Sequence, residues 1–204
     1  EAIKQRGLRV NFITNGTVLG AHYEKVVDLG VDELIFLLDG PEEIHDEMRS
    51  GKGIFHRAVT AFRQLREYRD KSRAAVPRIN ISTTIFETNY RRLAEVLDVA
   101  ESIGADTISF HHLIFLSKGI CEENSAAFRE HFNLDCSDWT GFARDTLPEI
   151  DAGYLIGALH DLRKRKSPVA VTVYPNFTDA EIREYYENFE FLPKSYADRC
   201  LSPW

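Results

Sequence analysis

Short runs rich in β-branched and aromatic residues alternate along the chain with longer stretches whose apolar residues recur at helical spacing. Strands are expected at 8–14, 33–38, 78–86, 107–114 and 169–174. Between the first two, a helix from about Val18 closes at Gly30. Asp39-Gly40-Pro41 is a turn signal, followed by a polar segment to Gly53. A long helix over 55–71 then puts Phe55, Val59, Phe62 and Leu65 on one face. Thr88 or Asn89 is expected to cap the helix carrying Leu93, Val96, Leu97 and Ala100, which stops at Gly104. After a mixed helical and loop region, Pro148 is expected to open the helix carrying Leu155, Ile156, Leu159 and Leu162. Thr178 and Glu181 fit a capping box. No repeat is visible beyond the strand–helix rhythm.

That rhythm with short links means parallel strands joined by crossovers. The fold class is α/β, a (β/α) barrel or part of one, with an open sheet as the second choice. Ligands in such folds sit at the carboxyl ends of the strands. The segments to read are therefore Thr14-Asn15-Gly16, 39–49, 86–89 and 111–119. The third strand alternates Ile79, Ile81, Thr83 and Ile85 with Asn80, Ser82 and Thr84. Either the polar set lines an inner face, where a polar ligand or water would partner it, or this is an edge strand with one solvated face.

The 204 residues carry 25 Lys and Arg against 32 Asp and Glu, a formal charge of −7, which argues against a nucleic-acid partner. The basic run Arg163-Lys164-Arg165-Lys166 reads as a helix terminus. No apolar stretch approaches the ~20 residues that cross a bilayer, and no signal peptide opens the chain, so no membrane partner is expected. Cys121, Cys136 and Cys200 form no pair, and a cytoplasmic location is the expectation. His45-Asp46 reads as part of a solvated acidic turn, and of His111-His112 only one can reach a lumen. Hydrolase, phosphate-loop and dinucleotide motifs are absent from the sequence. Both ends look cut: the chain starts inside a helix closed by Gly7 and stops at Cys200-Leu201-Ser202-Pro203-Trp204.

The most specific signal is an ordered set of motifs. Val10 to Leu19 contains Thr14-Asn15-Gly16; after one helix, Gly30 to Pro41 ends in Leu37-Leu38-Asp39-Gly40; then come His45-Asp46, Arg49 and Gly53-Ile54-Phe55. Thr88-Asn89, Gly104-Ala105-Asp106 and the terminal Cys200 to Trp204 follow in the same order. This set resembles the radical S-adenosylmethionine (radical SAM) enzymes, in particular the branch with a C-terminal cluster-binding extension called SPASM. The resemblance implies a partial (β/α) barrel over 1–199 and the start of a SPASM-like extension over 200–204.

It further implies that the full-length parent binds S-adenosylmethionine and a [4Fe–4S] cluster held by a C-x3-C-x2-C loop, which would precede Glu1. Such an enzyme makes a 5′-deoxyadenosyl radical to modify a peptide or protein, or to mature an enzyme or cofactor. Its partners would be that substrate, or a small molecule, and an electron donor such as flavodoxin or ferredoxin. Carried over by position, Asn15, Arg49, Asn80, Ser82, Thr84 and the backbone at Leu113 would meet the cofactor or line the lumen, with Arg49 on its carboxylate. A surface ion pair of Arg49 with Glu42 or Glu43 is the competing reading. Leu37 stands where the family usually has a serine, and it cannot donate a hydrogen bond. Cys200 would ligate an auxiliary cluster only in the full-length protein. The 204-residue piece is expected to hold no cofactor and to be inactive, and its exposed sheet edge could drive self-association. Two other readings remain: a noncatalytic scaffold of the same fold, and a metal-dependent hydrolase using Asp39 and His111.

Overall fold

The computed structural model describes residues 1–135 and 139–191. Helix α1 (Ala2–Gln5) leads to strand β1 (Asn11–Thr14), a 3-10 turn at Leu19–Ala21 and α2 (Tyr23–Asp28). Next come β2 (Glu33–Leu37), α3 (Glu42–Met48), α4 (Ile54–Lys71), β3 (Arg78–Ile85), α5 (Leu93–Ile103) and β4 (Thr107–His112). A minor strand β5 (Leu116–Ser117), α6 (Lys118–Phe132), β6 (Ala143–Arg144), α7 (Ala152–Lys164), β7 (Ala170–Tyr174) and α8 (Asp179–Glu187) complete the described fold. The main sheet is parallel, in the order β1-β2-β3-β4-β7, while β5 and β6 form a small parallel pair. The α/β class with alternating parallel strands and helices is as expected.

Side-chain alternation divides the sheet into two faces. Leu34, Phe36, Ile79, Ile81, Ile85, Ile108 and Phe110 are buried in one core with Phe62 and Leu65 of α4, Leu97 of α5 and Leu159 of α7. Phe36 stacks on Phe62 with ring centroids 4.6 Å apart. The other face carries Leu37, Asn80, Ser82, Thr84, Ser109 and His111, all half-buried. Register aligns these into rows across the sheet, Leu37–Ser82–Ser109–Thr172 and Thr84–His111–Tyr174. β3 lies between β2 and β4, so the edge-strand reading of it is overturned. Among the described residues the edge strands are β1 and β7, and on β1 Phe12 and Ile13 are exposed.

The structure also reveals a repeat that the sequence reading missed. Gly30-Val31-Asp32 and Gly104-Ala105-Asp106 each close a helix with a left-handed glycine, at φ +64° and +72°, and then start a strand. Asp32 donates its N–H to the Val10 carbonyl (2.9 Å), accepts the Val10 N–H on its carboxylate (2.7 Å), and offers its own carbonyl to the Arg78 N–H (2.9 Å). Asp106 does the same with Ile79 (2.9 and 2.7 Å) and the Ala170 N–H (3.3 Å). Each carboxylate also holds a cation, Lys4 at 2.6 Å and Arg69 at 2.9 Å. Hydrogen bonds and the adjacent cation hold Asp32 below its usual range; at Asp106 burial pushes the other way, and the Ile79 N–H and Arg69 outweigh it.

Several local expectations are corrected. The segment 42–48 is helix α3 rather than a polar connection. α5 begins at Leu93 with Arg92 at its N-cap, because Asn89 is committed elsewhere, and neither Thr88 nor Asn89 caps it. α7 is opened by Asp151, whose carboxylate accepts the Tyr154 N–H, rather than by Pro148. The capping box at Thr178 and Glu181 is present. Phe62, wholly buried against Phe36, anchors α4 to the sheet. Phe62→Ala is expected to cost about 3–5 kcal/mol in denaturant unfolding followed by circular dichroism.

Candidate functional site

At the carboxyl ends of the strands two clefts share Ser82, Thr84 and Phe86. The larger, about 680 Å³, is walled by His111, Leu113, Ile114, Phe142, Arg144, Tyr174 and Tyr185. The smaller, about 280 Å³, is walled by Leu37, Asp39, Met48 and Arg49. Together they bring four of the expected residues, Arg49, Ser82, Thr84 and Leu113, to one end of the sheet.

Arg49 holds Asp39 with two parallel bonds, Nε to Oδ2 at 2.6 Å and Nη2 to Oδ1 at 3.0 Å. The competing surface pairing with Glu42 or Glu43 does not form: Glu42 faces His56 and Glu43 faces Arg92. Burial pushes the Asp39 carboxyl up, but the adjacent His45 ring and the Arg49 guanidinium outweigh it and hold it below its usual range. Its ionised form therefore supports the fold above the ordinary carboxylate range, and that support is lost as pH falls through the lowered value.

His45-Asp46 is no solvated turn. Forming α3 turns His45 inward, where it is fully buried between Phe36 and Phe55, and its Nδ1 accepts the Asp39 N–H at 3.2 Å. Asp46 instead accepts the N–H groups of Gly53 and Phe55 (2.5 and 2.8 Å), closing the start of α4.

Asn15 and Asn80 stand apart from both clefts. Asn15 is exposed and accepts from Thr17 N–H and Oγ1 at 3.1 and 2.9 Å, which shapes the turn after β1. Gly16 is required beside it, since at φ +75° an added Cβ would lie 3.0 Å from that of Ala58. Asn80 lies nearer the amino end of β3, and its buried Oδ1 has no partner among the described residues. The Leu113 carbonyl accepts the Tyr185 hydroxyl at 2.7 Å, and burial pushes that hydroxyl up to about 12, so it stays a donor. The two histidines of β4 face opposite ways, as alternation requires. His111 lines the larger cleft beside Tyr174, with burial lowering its pKa. His112 packs under the sheet with Nδ1 3.0 Å from the Tyr186 hydroxyl.

Wall residues of the larger cleft that were not singled out from the sequence include Phe142, Tyr174, Tyr185 and Arg144. Tyr174 ends β7, Tyr185 comes from α8, and Arg144, paired to Glu87 at 2.6 Å, ends the short strand β6. Spacing along the chain carries no signal for such long-range convergence. Cys121 is buried, with Sγ 3.6 Å from the Trp139 carbonyl, and does not face a cleft. Cys136 and Cys200 lie outside the described residues. Among the described residues no three His, Cys, Asp or Glu side chains gather as metal ligands. The described residues therefore do not fit an iron–sulfur cluster. Asp39 and His111 line different clefts, and Asp39 is committed to Arg49, so the hydrolase reading finds no metal pair. No described helix is long and apolar enough to cross a membrane.

Burial and the nearby Arg163 and His111 charges lower the His112 pKa from 6.5 to about 4. The folded state then resists a proton that the unfolded chain accepts, so stability is complete above about 6.5 and falls between about 6.5 and about 4. The fall attributable to this group should approach about 3 kcal/mol. Thermal melts across that window should show it, and His112→Gln should flatten the pH dependence whatever its own stability.

No family model matches the chain. A pre-heme d1 synthase of Dinoroseobacter shibae is 27% identical over 107 residues, 52% of this chain and 25% of that protein. Streptococcus suis SuiB superposes with a TM-score of 0.56 at 11% identity, over 89% of this chain and 36% of SuiB. SuiB bound to S-adenosylmethionine matches with a TM-score of 0.56 at 10% identity, over 94% of this chain and 37% of that one. SuiB bound to the precursor peptide SuiA matches with a TM-score of 0.56 at 10% identity, over 89% and 35%. The structural likenesses show a shared fold, and the chain spans about a quarter of the length of its curated relative.

Proposed function

From a chain that resembles the radical S-adenosylmethionine enzymes in motif order and in fold, we propose that the whole protein is an enzyme of that kind. The observation that carries the reading is the Arg49 guanidinium and the Ser82 and Thr84 hydroxyls facing one cleft at the carboxyl ends of parallel strands. Two of the five guanidinium N–H groups lie on Asp39, and the others suit the carboxylate of S-adenosylmethionine. Ser82 and Thr84 would orient the cofactor from below, and the Leu113 backbone and Tyr185 would bound its nucleoside end. Phe86, Ile114 and Phe142 would exclude water from the larger cleft. When reduced and bound with its cluster, the cofactor supplies the hydrogen-abstracting radical; the described residues supply walls and contacts.

The substrate class proposed is a peptide or protein side chain, or an enzyme or cofactor undergoing maturation. The pre-heme d1 synthase and the SuiB–SuiA complex support that range. The SPASM extension, Cys200 as an auxiliary-cluster ligand, a flavodoxin- or ferredoxin-like electron donor and a cytoplasmic location belong to the same proposal, as does inactivity of the 204-residue chain alone. Leu37 favours a second reading, a noncatalytic scaffold, because it lines the smaller cleft where a serine would offer a hydroxyl.

The full-length protein, purified and reconstituted without oxygen, decides between them. Iron bound per chain together with 5′-deoxyadenosine release, after addition of reductant and S-adenosylmethionine, is the expected outcome. A reconstituted protein that takes up no iron would establish the scaffold instead.

A further inference from the structure

Asn89 is fully buried between the carboxyl ends of β2 and β3. Its Nδ2 donates to the Asp39 carbonyl at 2.6 Å and to the Thr84 carbonyl at 2.8 Å, while its Oδ1 accepts the Phe86 N–H at 2.7 Å. Two carbonyls on one nitrogen fix the orientation of the amide, since the reverse would set oxygen against oxygen. Only a side-chain amide meets this demand at this reach: two donors on one branch and an acceptor on the other.

Asn89 thus fixes Asp39 relative to Thr84, across the floor of the smaller cleft. Asp39 is held at every other polar point as well, its N–H on His45 Nδ1 and its carboxylate on the Arg49 fork. The guanidinium is only as well placed as the carboxylate it grips, and that carboxylate is only as well placed as its backbone. Asn89 sets one side of that backbone, and no part of it reaches a cleft.

Resting on the radical S-adenosylmethionine reading, we infer that Asn89 is a positioning residue for cofactor binding. Acting through Asp39, it holds Arg49 where the guanidinium meets the amino-acid carboxylate of S-adenosylmethionine. The nucleoside end would meet Leu113 and Tyr185, to which the Asn89 side chain makes no hydrogen bond, so it should be far less affected. A residue that merely stabilised the fold would affect both ends of the cofactor alike.

The test is ligand affinity by calorimetry on the full-length, anaerobically reconstituted protein, with two probes. One is S-adenosylmethionine; the other is 5′-methylthioadenosine, which keeps the nucleoside and sulfur but lacks the amino-acid group. Asn89→Asp preserves size and removes both donors, and Asp39→Asn cuts the same relay one link further on. Each is expected to weaken S-adenosylmethionine binding about tenfold or more. Affinity for 5′-methylthioadenosine should stay within about twofold, and the double variant should be no weaker than the worse single one. If Asn89→Asp does not fold, Asn89→Ser, which keeps one donor, carries the same expectation. Equal weakening of both probes, unchanged S-adenosylmethionine binding, or additive losses in the double variant would each overturn the positioning role while leaving the cofactor assignment standing. A wild-type protein that binds neither probe would overturn the cofactor assignment itself, and the role of Asn89 with it.

Discussion

A parallel strand in the middle of a sheet is enclosed on both faces, and period-two alternation forces every second side chain onto the face away from the helices. In β3 that constraint sends Ile79, Ile81 and Ile85 into the helical core and leaves Asn80, Ser82 and Thr84 opposite. The same parity runs through β2 and β4, so rows of hydroxyl, amide and imidazole groups cross the sheet at fixed heights. A face so composed cannot be a filled apolar barrel interior. Ser109 and Thr172 satisfy each other at 2.8 Å, whereas Asn80 Oδ1 is left buried without a partner among the described residues. The polar face is a demand for hydrogen bonds that the sheet itself does not meet.

The two ends of the sheet answer different demands. At the amino ends, the carboxylates of Asp32 and Asp106 lock neighbouring strands in register. At the carboxyl ends, Asp39 serves as a hub whose N–H, carbonyl and carboxylate are each taken by a different residue: His45, Asn89 and Arg49. The first arrangement fixes backbone against backbone. The second fixes the loops that carry side chains toward the clefts, and it depends on burial, since His45 and Asn89 are both fully enclosed.

The strand–helix order, the parallel sheet and the parity of β3 were legible in the sequence because each rests on local periodicity. Leu93, Val96, Leu97 and Ala100 fell on one helical face and are all buried. What escaped were roles decided by competition. Asn89 is a good helix cap in isolation, but two carbonyls of other segments claim its amide. His45 sits among glutamates in sequence and still turns inward, because α3 carries it under Phe55. Arg49 was singled out by its place in the motif order and lines the smaller cleft, but its pairing with Asp39, read as a turn former or a hydrolase ligand, was not anticipated. Tyr174, Tyr185 and Arg144 reach the larger cleft from segments far apart in the chain, and no local pattern announces that.

The doubled Gly-x-Asp device at the amino ends has a consequence for how such a protein changes over evolutionary time. Register and closure are written into residues remote from the clefts, in a unit that the chain uses twice. Substitutions at half-buried cleft positions, such as a leucine at position 37, leave that register device untouched. Side chains that line the clefts can be exchanged without first having to rebuild that part of the scaffold.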